Sequence, residues 1–222
     1  MPQIQYTSLE IVTPSGRTVP NHLLKPAGPA RSLMVVFPGL NYSCDNPLLY
    51  YISRLAVQRS ADVLQLWARY TDRQFQSLSE ADQLKWLLED ARSLIEAARK
   101  NGSYERLVLV GKSIGTLTLA ALFDQARELS ATPAIWLTPL FHQPAVLKSA
   151  LHTRGKALFI DGSADPSYDA EAMQQVELLD TAQVVLIQEA DHSLEIAGDL
   201  LRSLKVLRGI VETAASFLDG IV

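Results

Sequence analysis

The feature that most constrains the fold is an apolar run at residues 107–110 that leads directly into Gly111-Lys112-Ser113-Ile114-Gly115. The run has the length and composition of a strand buried on both faces. Residues 114–123 are apolar on almost every side, as in a helix packed against the middle of a sheet. Because so short a connection from strand to helix leaves little room for side chains, glycine is needed on either side of the serine. We therefore predict a strand, a sharp turn at Ser113 and a buried helix.

Strands and helices alternate along the rest of the chain. Strands are predicted at 33–37, 62–67, 134–137, 157–160 and 183–187, and helices at 48–58, at 80–100 and from 200 towards the end of the chain. This alternation is typical of an α/β fold with a mostly parallel central sheet and helices on both faces. Two β-like runs at 9–13 and 18–24, separated by Pro14-Ser15-Gly16, predict an antiparallel hairpin at the N-terminus. We expect a single domain over residues 1–222, without a cap domain.

Two helices show their pattern in detail. The apolar residues of the helix at 80–100 recur at three- and four-residue spacing, with Ser79 placed to cap its start and Asn101-Gly102 to end it. The last helix has six residues among its apolar positions, namely Leu200, Leu201, Leu204, Leu207, Val211 and Phe217.

The composition argues against several classes of protein. The net charge of −4 provides no positive field for a phosphate backbone, so we expect no nucleic-acid partner. No apolar run is long enough to span a bilayer and the first residues do not read as a signal peptide, which favours a cytoplasmic protein without a membrane partner. Cys44 is the only cysteine, so no internal disulfide can form. We expect a monomer or small homo-oligomer that acts on small molecules.

The pentapeptide around Ser113 matches G-x-S-x-G in the strand-to-helix context where that motif carries a nucleophile. The positive end of the helix dipole at Ile114 favours an oxyanion beside the serine. The same residues also match the end of a phosphate-binding P-loop, G-x-x-x-x-G-K-[ST]. That interpretation fails because position 106, where the first glycine is required, holds Arg106, and because 107–110 are needed as strand.

An acid and a base follow Ser113 in the chain. The strand at 157–160 runs into a polar turn that contains Asp161 and Asp165, and His192 lies in the loop after the strand at 183–187. Catalytic groups collect at the carboxyl edge of a parallel sheet, so we predict Asp165 as the acid, with Asp161 as the alternative, and His192 as the general base.

The other histidines are weaker candidates. His22 lies in the predicted hairpin and His152 near a helix end, while His142, after the strand at 134–137, is the one that could approach the cleft. No two histidines have the spacing of a metal-binding pair, so neither a metal nor a cofactor is predicted.

The oxyanion that forms during acyl transfer needs two N–H donors. One is expected from Ile114. The other is expected from Leu40, in the loop Phe37-Pro38-Gly39-Leu40-Asn41 after an early central strand.

With these segments in place, the chain resembles the α/β-hydrolase superfamily, and within it small lidless enzymes similar to dienelactone hydrolases and short-chain carboxylesterases. The resemblance covers nearly the whole chain. It is carried by Phe37-Pro38-Gly39-Leu40, Gly111-Lys112-Ser113-Ile114-Gly115, Gly162-Ser163-Ala164-Asp165 and Ala190-Asp191-His192-Ser193. Pro38 stands where the family commonly has histidine. Dienelactone hydrolases carry a cysteine nucleophile, so their substrate does not transfer to a chain with Ser113.

The sequence thus predicts a serine hydrolase that cleaves an ester or thioester through an acyl-enzyme on Ser113. Two alternatives stay open: an acyltransferase that uses the same three residues, and a non-catalytic binding or scaffold protein with the same fold. Side chains after strands are expected to line the substrate pocket, namely Tyr42, Trp67, Lys112, Phe141 and His142.

Overall fold

The apolar runs form one eight-stranded sheet in the computed structural model, which describes residues 4–222. Its strands are β1 (Gln5–Thr7), β2 (Asn21–Lys25), β3 (Ser32–Phe37), β4 (Ala61–Leu66), β5 (Arg106–Lys112), β6 (Ala134–Leu137), β7 (Ala157–Gly162) and β8 (Ala182–Ile187). Their order is β1-β2-β4-β3-β5-β6-β7-β8, and the strands from β3 to β8 run parallel. The predicted mostly parallel sheet is confirmed. The first three residues of the predicted domain lie outside the described part.

Helices cover both faces of the sheet, as predicted. They are α1 (Pro47–Gln58), α2 (Arg73–Gln76), α3 (Glu80–Asn101), α4 (Ile114–Gln125), α5 (Pro144–Leu151), α6 (Ala170–Glu177) and α7 (Leu200–Leu218), with a 3-10 turn at Arg127–Ala131. Helices α1 and α7 pack on the face that carries Met34 and Val36, and α3 to α6 pack on the opposite face. Ser79 caps α3 by accepting a hydrogen bond from the N–H of Asp82, at 3.2 Å. No helix within residues 4–222 has the length and hydropathy needed to cross a membrane.

The N-terminal hairpin is confirmed, but its first strand lies earlier than predicted. Strands β1 and β2 pair antiparallel, with Tyr6 opposite Leu24. The predicted strand at 9–13 instead belongs to a loop that is closed by one isolated bridge between Val12 and Thr18. Strand β1 is exposed along its whole length, so its residues show no alternation of apolar and polar side chains that would mark it as a strand.

The apolar residues at the start of α7 do not form its buried face. Leu200, Leu201 and Leu204 are exposed. The buried face of this helix runs through Ser203, Ile210, Ala214 and Phe217 at helical spacing. The hydroxyl of Ser203 occupies the inward position of the first turn, where it accepts a hydrogen bond from the N–H of Ile196 at 2.9 Å. The first turn of α7 is therefore joined to the preceding loop by a polar contact.

Candidate active site

The turn at Ser113 joins β5 to α4 in a strained backbone conformation. Ser113 has φ 52° and ψ −117°, a region that residues other than glycine rarely adopt. Its N–H donates to the carbonyl of Leu137 at 3.0 Å, and its own carbonyl accepts from the hydroxyl of Thr116 at 2.6 Å. A Cβ on Gly115 would lie 2.3 Å from the carbonyl oxygen of Phe37. The start of α4 is thus pressed against the end of β3, which only glycine permits.

Ser113, His192 and Asp165 form one chain of hydrogen bonds. The Oγ of Ser113 lies 2.8 Å from Nε2 of His192, and Nδ1 of His192 lies 2.6 Å from Oδ2 of Asp165. The other oxygen of Asp165 accepts from the N–H of Ser167 at 2.7 Å. The structure therefore brings the three predicted residues together. It is Asp165, and not the alternative Asp161, that contacts the imidazole.

The loops that carry the acid and the base touch because Gly162 lies between them. A Cβ at Gly162 would lie 2.2 Å from the carbonyl oxygen of Ala190. In the loop that carries His192, the carboxylate of Asp191 accepts hydrogen bonds from the N–H groups of Ser193 and Glu195, at 2.8 and 3.1 Å. These hydrogen bonds fix the shape of the loop, and a bond of 2.9 Å from the N–H of Ala164 to the carbonyl of Ala190 joins it to the turn after β7.

Burial differs sharply between the acid and the base. The Asp165 side chain is fully buried, whereas the His192 side chain is 38% exposed. Burial alone would raise the pKa of Asp165, but the hydrogen bonds from His192 and from the N–H of Ser167 outweigh it and hold this pKa below the usual range. Asp165 is therefore a carboxylate at neutral pH. It can hold the imidazole in the tautomer that leaves Nε2 free to accept a proton from Ser113.

The two N–H groups predicted to bind an oxyanion lie where the end of β3 meets α4. Among the residues that the structure describes, neither the N–H of Leu40 nor that of Ile114 donates to a protein acceptor. The loop around Leu40 is held by a hydrogen bond of 2.9 Å from the N–H of Gly39 to the carbonyl of Tyr42. Both donors therefore remain available to a ligand.

Lys112 and Asp161 have surroundings that sequence reasoning missed. Lys112 is fully buried, and its Nζ donates to Oγ1 of Thr138 and to the backbone carbonyl of His192, each at 2.6 Å. Burial lowers the pKa of Lys112 to about 8, against the opposing effect of nearby carboxylates. Burial, reinforced by Asp165, raises the pKa of Asp161 to about 8. One signal in the sequence could have indicated that Lys112 is buried. It lies two residues after Val110 and four after Val108, so it points to the same face of the sheet as these buried residues.

The residues predicted for the substrate pocket separate into distinct places. His142 lines an open cleft of about 650 Å³ together with Tyr168 and the turn after Asp165. Lys112 and Phe141 are buried, and the ring of Phe141 packs against Phe159, so neither can line a pocket wall.

The two remaining pocket candidates have partners of their own. Trp67 packs against His22, with ring centroids 4.2 Å apart and the rings tilted by 35°, in a separate groove beside the N-terminal hairpin. The hydroxyl of Tyr42 accepts from the N–H of Leu48 at 3.1 Å, and the ring of Tyr42 lies 5.0 Å from the ammonium of Lys112. Tyr42 therefore lies beside Lys112, the neighbour of Ser113, and Trp67 faces another part of the surface.

Other reactive side chains do not join this arrangement. Cys44 is buried with its Sγ 3.5 Å from the carbonyl of Leu66, and burial raises the pKa of its thiol well above the usual range. Such a thiol is inert as a nucleophile. Within residues 4–222, no group of three His, Cys, Asp or Glu side chains is placed to hold a metal ion.

Comparison with known proteins yields a family and a set of structures. The model of the family described as alpha/beta hydrolase domain matches residues 39–218. No curated protein matches the sequence significantly.

Solved structures match over nearly the whole chain. Est1E from Butyrivibrio proteoclasticus with bound ferulic acid superposes with a TM-score of 0.72 at 12% identity, over 92% of this chain and 95% of its own. A serine hydrolase without a lid from Xanthomonas campestris gives 0.68 at 19%, over 96% and 94%. An esterase from Pyrococcus furiosus gives 0.72 at 13%, over 98% and 93%. At these identities the likeness concerns the fold.

Proposed function

Because the chain belongs to the alpha/beta hydrolase domain family, we propose that it is a serine hydrolase that cleaves an ester or thioester of a small molecule. The observation that carries the proposal is the hydrogen-bond chain from Ser113 through His192 to Asp165, with bonds of 2.8 and 2.6 Å. A nucleophile, a base in contact with it and an acid behind the base are the parts that acyl transfer requires.

The reaction proceeds in two halves. His192 takes the proton of Ser113 as Oγ attacks the carbonyl carbon, and the N–H groups of Leu40 and Ile114 bind the oxygen that becomes negative. His192 then gives the proton to the departing alcohol or thiol, which leaves the acyl group on Ser113. A water molecule, deprotonated by His192, attacks the acyl carbon. The bond between the acyl carbon and Oγ then breaks, the carboxylic acid leaves, and His192 returns the proton to Ser113.

The surroundings of the site support an open arrangement. The cleft of about 650 Å³ beside His142 and Tyr168 adjoins the turn after Asp165, and its lining does not include Ser113 or His192. Between β6 and β7 the chain forms only α5, an eight-residue helix, which supports a site without a cap domain. The His192 side chain is 38% exposed, so water can reach the acyl-enzyme.

The test is labelling with a fluorophosphonate probe, which reacts with activated serines. We expect the native chain to be labelled, and labelling to be lost in Ser113→Ala and His192→Ala. His152→Ala is the matched control, because this histidine is exposed and its Nδ1 lies 2.7 Å from the carbonyl of Lys148 rather than near Ser113. A correctly folded native chain that takes no label and does not cleave p-nitrophenyl acetate would refute the proposal and favour a binding or scaffold role.

A further inference from the structure

The ammonium of Lys112 is held in an unusual way for a buried charge. Its two hydrogen-bond acceptors are uncharged oxygens, one on Thr138 and one on the backbone of His192. No carboxylate oxygen of the described residues lies within ion-pair distance of Nζ. Burying a charge is costly unless it is paired, so a lysine in this position needs a reason other than stability.

The contact with His192 acts on the base itself. Hydrogen bonds from a charged donor are short and strong. The bond of 2.6 Å from Nζ of Lys112 holds the backbone carbonyl of His192, the residue whose imidazole accepts the proton. The second anchor, Thr138, is fixed in turn, because its N–H donates to the carbonyl of Ile160 at 2.8 Å. Lys112 thus ties the loop of the base to β5, to the end of β6 and, through Ile160, to β7.

Two carboxyl groups face this ammonium from β7 and the turn after it. Asp161 is buried, its Oδ1 accepts from the N–H of Gly162 at 2.8 Å, and its Oδ2 has no partner among the described residues. A proton on Oδ2 would give this oxygen a partner, as a donor to Asp165. Burial and the neighbouring Asp165 raise the pKa of Asp161 to about 8, in keeping with this protonated form at neutral pH. The carboxyl pair then carries one negative charge, which the one positive charge of Lys112 balances.

We propose that Lys112 is a positioning residue for the proposed reaction: its ammonium, bound to Oγ1 of Thr138 and to the carbonyl of His192, fixes the backbone of the base. The inference rests on the proposed function. Titratable or charged groups also approach Lys112 from the loops around it, namely Tyr42, Asp191 and His192. Tyr42 stays neutral, because burial raises its pKa to about 12, so it supplies no competing charge below that pH.

The first variant is Lys112→Met, which keeps the length of the side chain and removes the charge. We expect kcat for p-nitrophenyl acetate to fall by about 10²-fold, as for a misplaced catalytic group, with KM within about twofold. A lysine that only fills space would leave kcat unchanged when a methionine of similar length replaces it. A folded Lys112→Met protein with kcat within about twofold of the native value would overturn the inference.

The second measurement needs no substitution of the lysine. Because burial lowers the pKa of Lys112 to about 8, its ammonium is lost as pH rises through that value. We expect the rate of fluorophosphonate labelling of the native chain to decline between pH 7 and 10, and that of Thr138→Val, which loses one anchor of Nζ, to be lower than native at pH 7. A labelling rate that stays level from pH 7 to 10 would contradict the inference even if Lys112→Met does not fold. A native chain without labelling or hydrolysis would refute the proposed function, and this inference with it.

Discussion

Two buried clusters of charge in this molecule are built in opposite ways. In the hairpin cluster, formed by Arg17, Glu89 and Asp90, the guanidinium pairs directly with Asp90 at 2.8 Å and Glu89 at 3.2 Å, and lies 3.7 Å over the ring of Trp86. In the site cluster, formed by Lys112, Asp161 and Asp165, the cation binds neutral oxygens and only faces the carboxyl groups. Direct ion pairs, as in the hairpin cluster, join two segments of the chain. Charges that do not pair, as in the site cluster, instead act on the electrostatic potential at a neighbouring group.

The buried carboxyl groups of the two clusters also differ in their charge at neutral pH. Burial raises the pKa of Asp90 to about 6, with Arg17 opposing the rise, so Asp90 is ionised at neutral pH. The pKa of Asp161 is raised to about 8, so this group is protonated at neutral pH. The hairpin cluster is therefore charged at neutral pH, and the charge of the site cluster can still change as pH rises towards 8.

The largest effect expected is on activity in the site cluster. Asp165→Asn keeps the shape of the acid but cannot hold the required tautomer of His192, so kcat should fall by about 10⁴-fold. Steady-state hydrolysis of p-nitrophenyl acetate measures it. Asp180→Asn, an exposed aspartate just before β8, is the matched control and should retain native kcat. Native activity in Asp165→Asn would mean that this carboxylate does not orient the base.

The reverse pattern is expected for the hairpin cluster. Arg17→Met leaves Asp90 buried without its partner, so the free energy of unfolding should fall by about 3 kcal/mol, with kcat/KM unchanged at temperatures where the variant is folded. Urea denaturation measures the first quantity. The exposed pair of Arg31 and Glu105 provides the control, because Arg31→Met should change stability by no more than about 0.5 kcal/mol. Equal losses in both variants would show that the hairpin cluster contributes no more than a surface pair.

A third prediction distinguishes the clusters by the pH dependence of stability. The folded-state pKa of Asp161, about 8, lies above its ordinary value of 3.8, so the native state binds more protons than the unfolded state between these values. The contribution of Asp161 to stability is therefore present at low pH and is lost as pH rises towards 8. Relative to the native chain, Asp161→Asn should become more stable from pH 5 to 8, by up to about 1 kcal/mol per pH unit. Parallel urea midpoints for the two proteins would contradict a protonated Asp161.

The smallest effect is expected at the rim of the hairpin cluster. The hydroxyl of Ser15 donates to Glu89 at 2.6 Å on the exposed side of that cluster. Ser15→Ala should lower the free energy of unfolding by about 0.5–1 kcal/mol, as for one hydrogen bond in contact with water, and should leave kcat unchanged. Thermal unfolding followed by circular dichroism measures it. A loss of stability as large as that of Arg17→Met would show that the stabilisation by this cluster comes mainly from Glu89 and not from the pair of Arg17 with Asp90.

The core of the sheet was predictable because its strands are buried on both faces and read as unbroken apolar runs. The sharp turn at Ser113 and the order of Ser113, Asp165 and His192 could be predicted from the same strands, because each of the three residues follows the end of a strand. Strand β1 was missed because three exposed residues at an edge leave no pattern. The apolar pattern of the last helix does not reveal its buried face, because Ser203, and not a leucine, takes the inward position of the first turn.

The surroundings of Lys112 could not be predicted in the same way. Lysine is almost always exposed, so composition places it on the surface. Only the contacts between loops that are distant in the sequence put its ammonium against Thr138 and His192. Two pocket candidates, Lys112 and Phe141, are buried for a related reason. A position after a strand shows that a side chain lies near the edge of the sheet, but not whether it is buried, as Phe141 is, or exposed, as His142 is.

The backbone of Ser113 has a consequence for the evolutionary history of such a chain. A conformation with φ 52° and ψ −117° costs about 1–3 kcal/mol for a residue with a Cβ, and glycine would escape most of that cost. A duplicated copy released from selection for catalysis would thus gain stability by exchanging this serine for glycine in a single step. A lineage that keeps serine at this position does without that gain in stability. A use for the hydroxyl of Ser113 would explain why serine is kept.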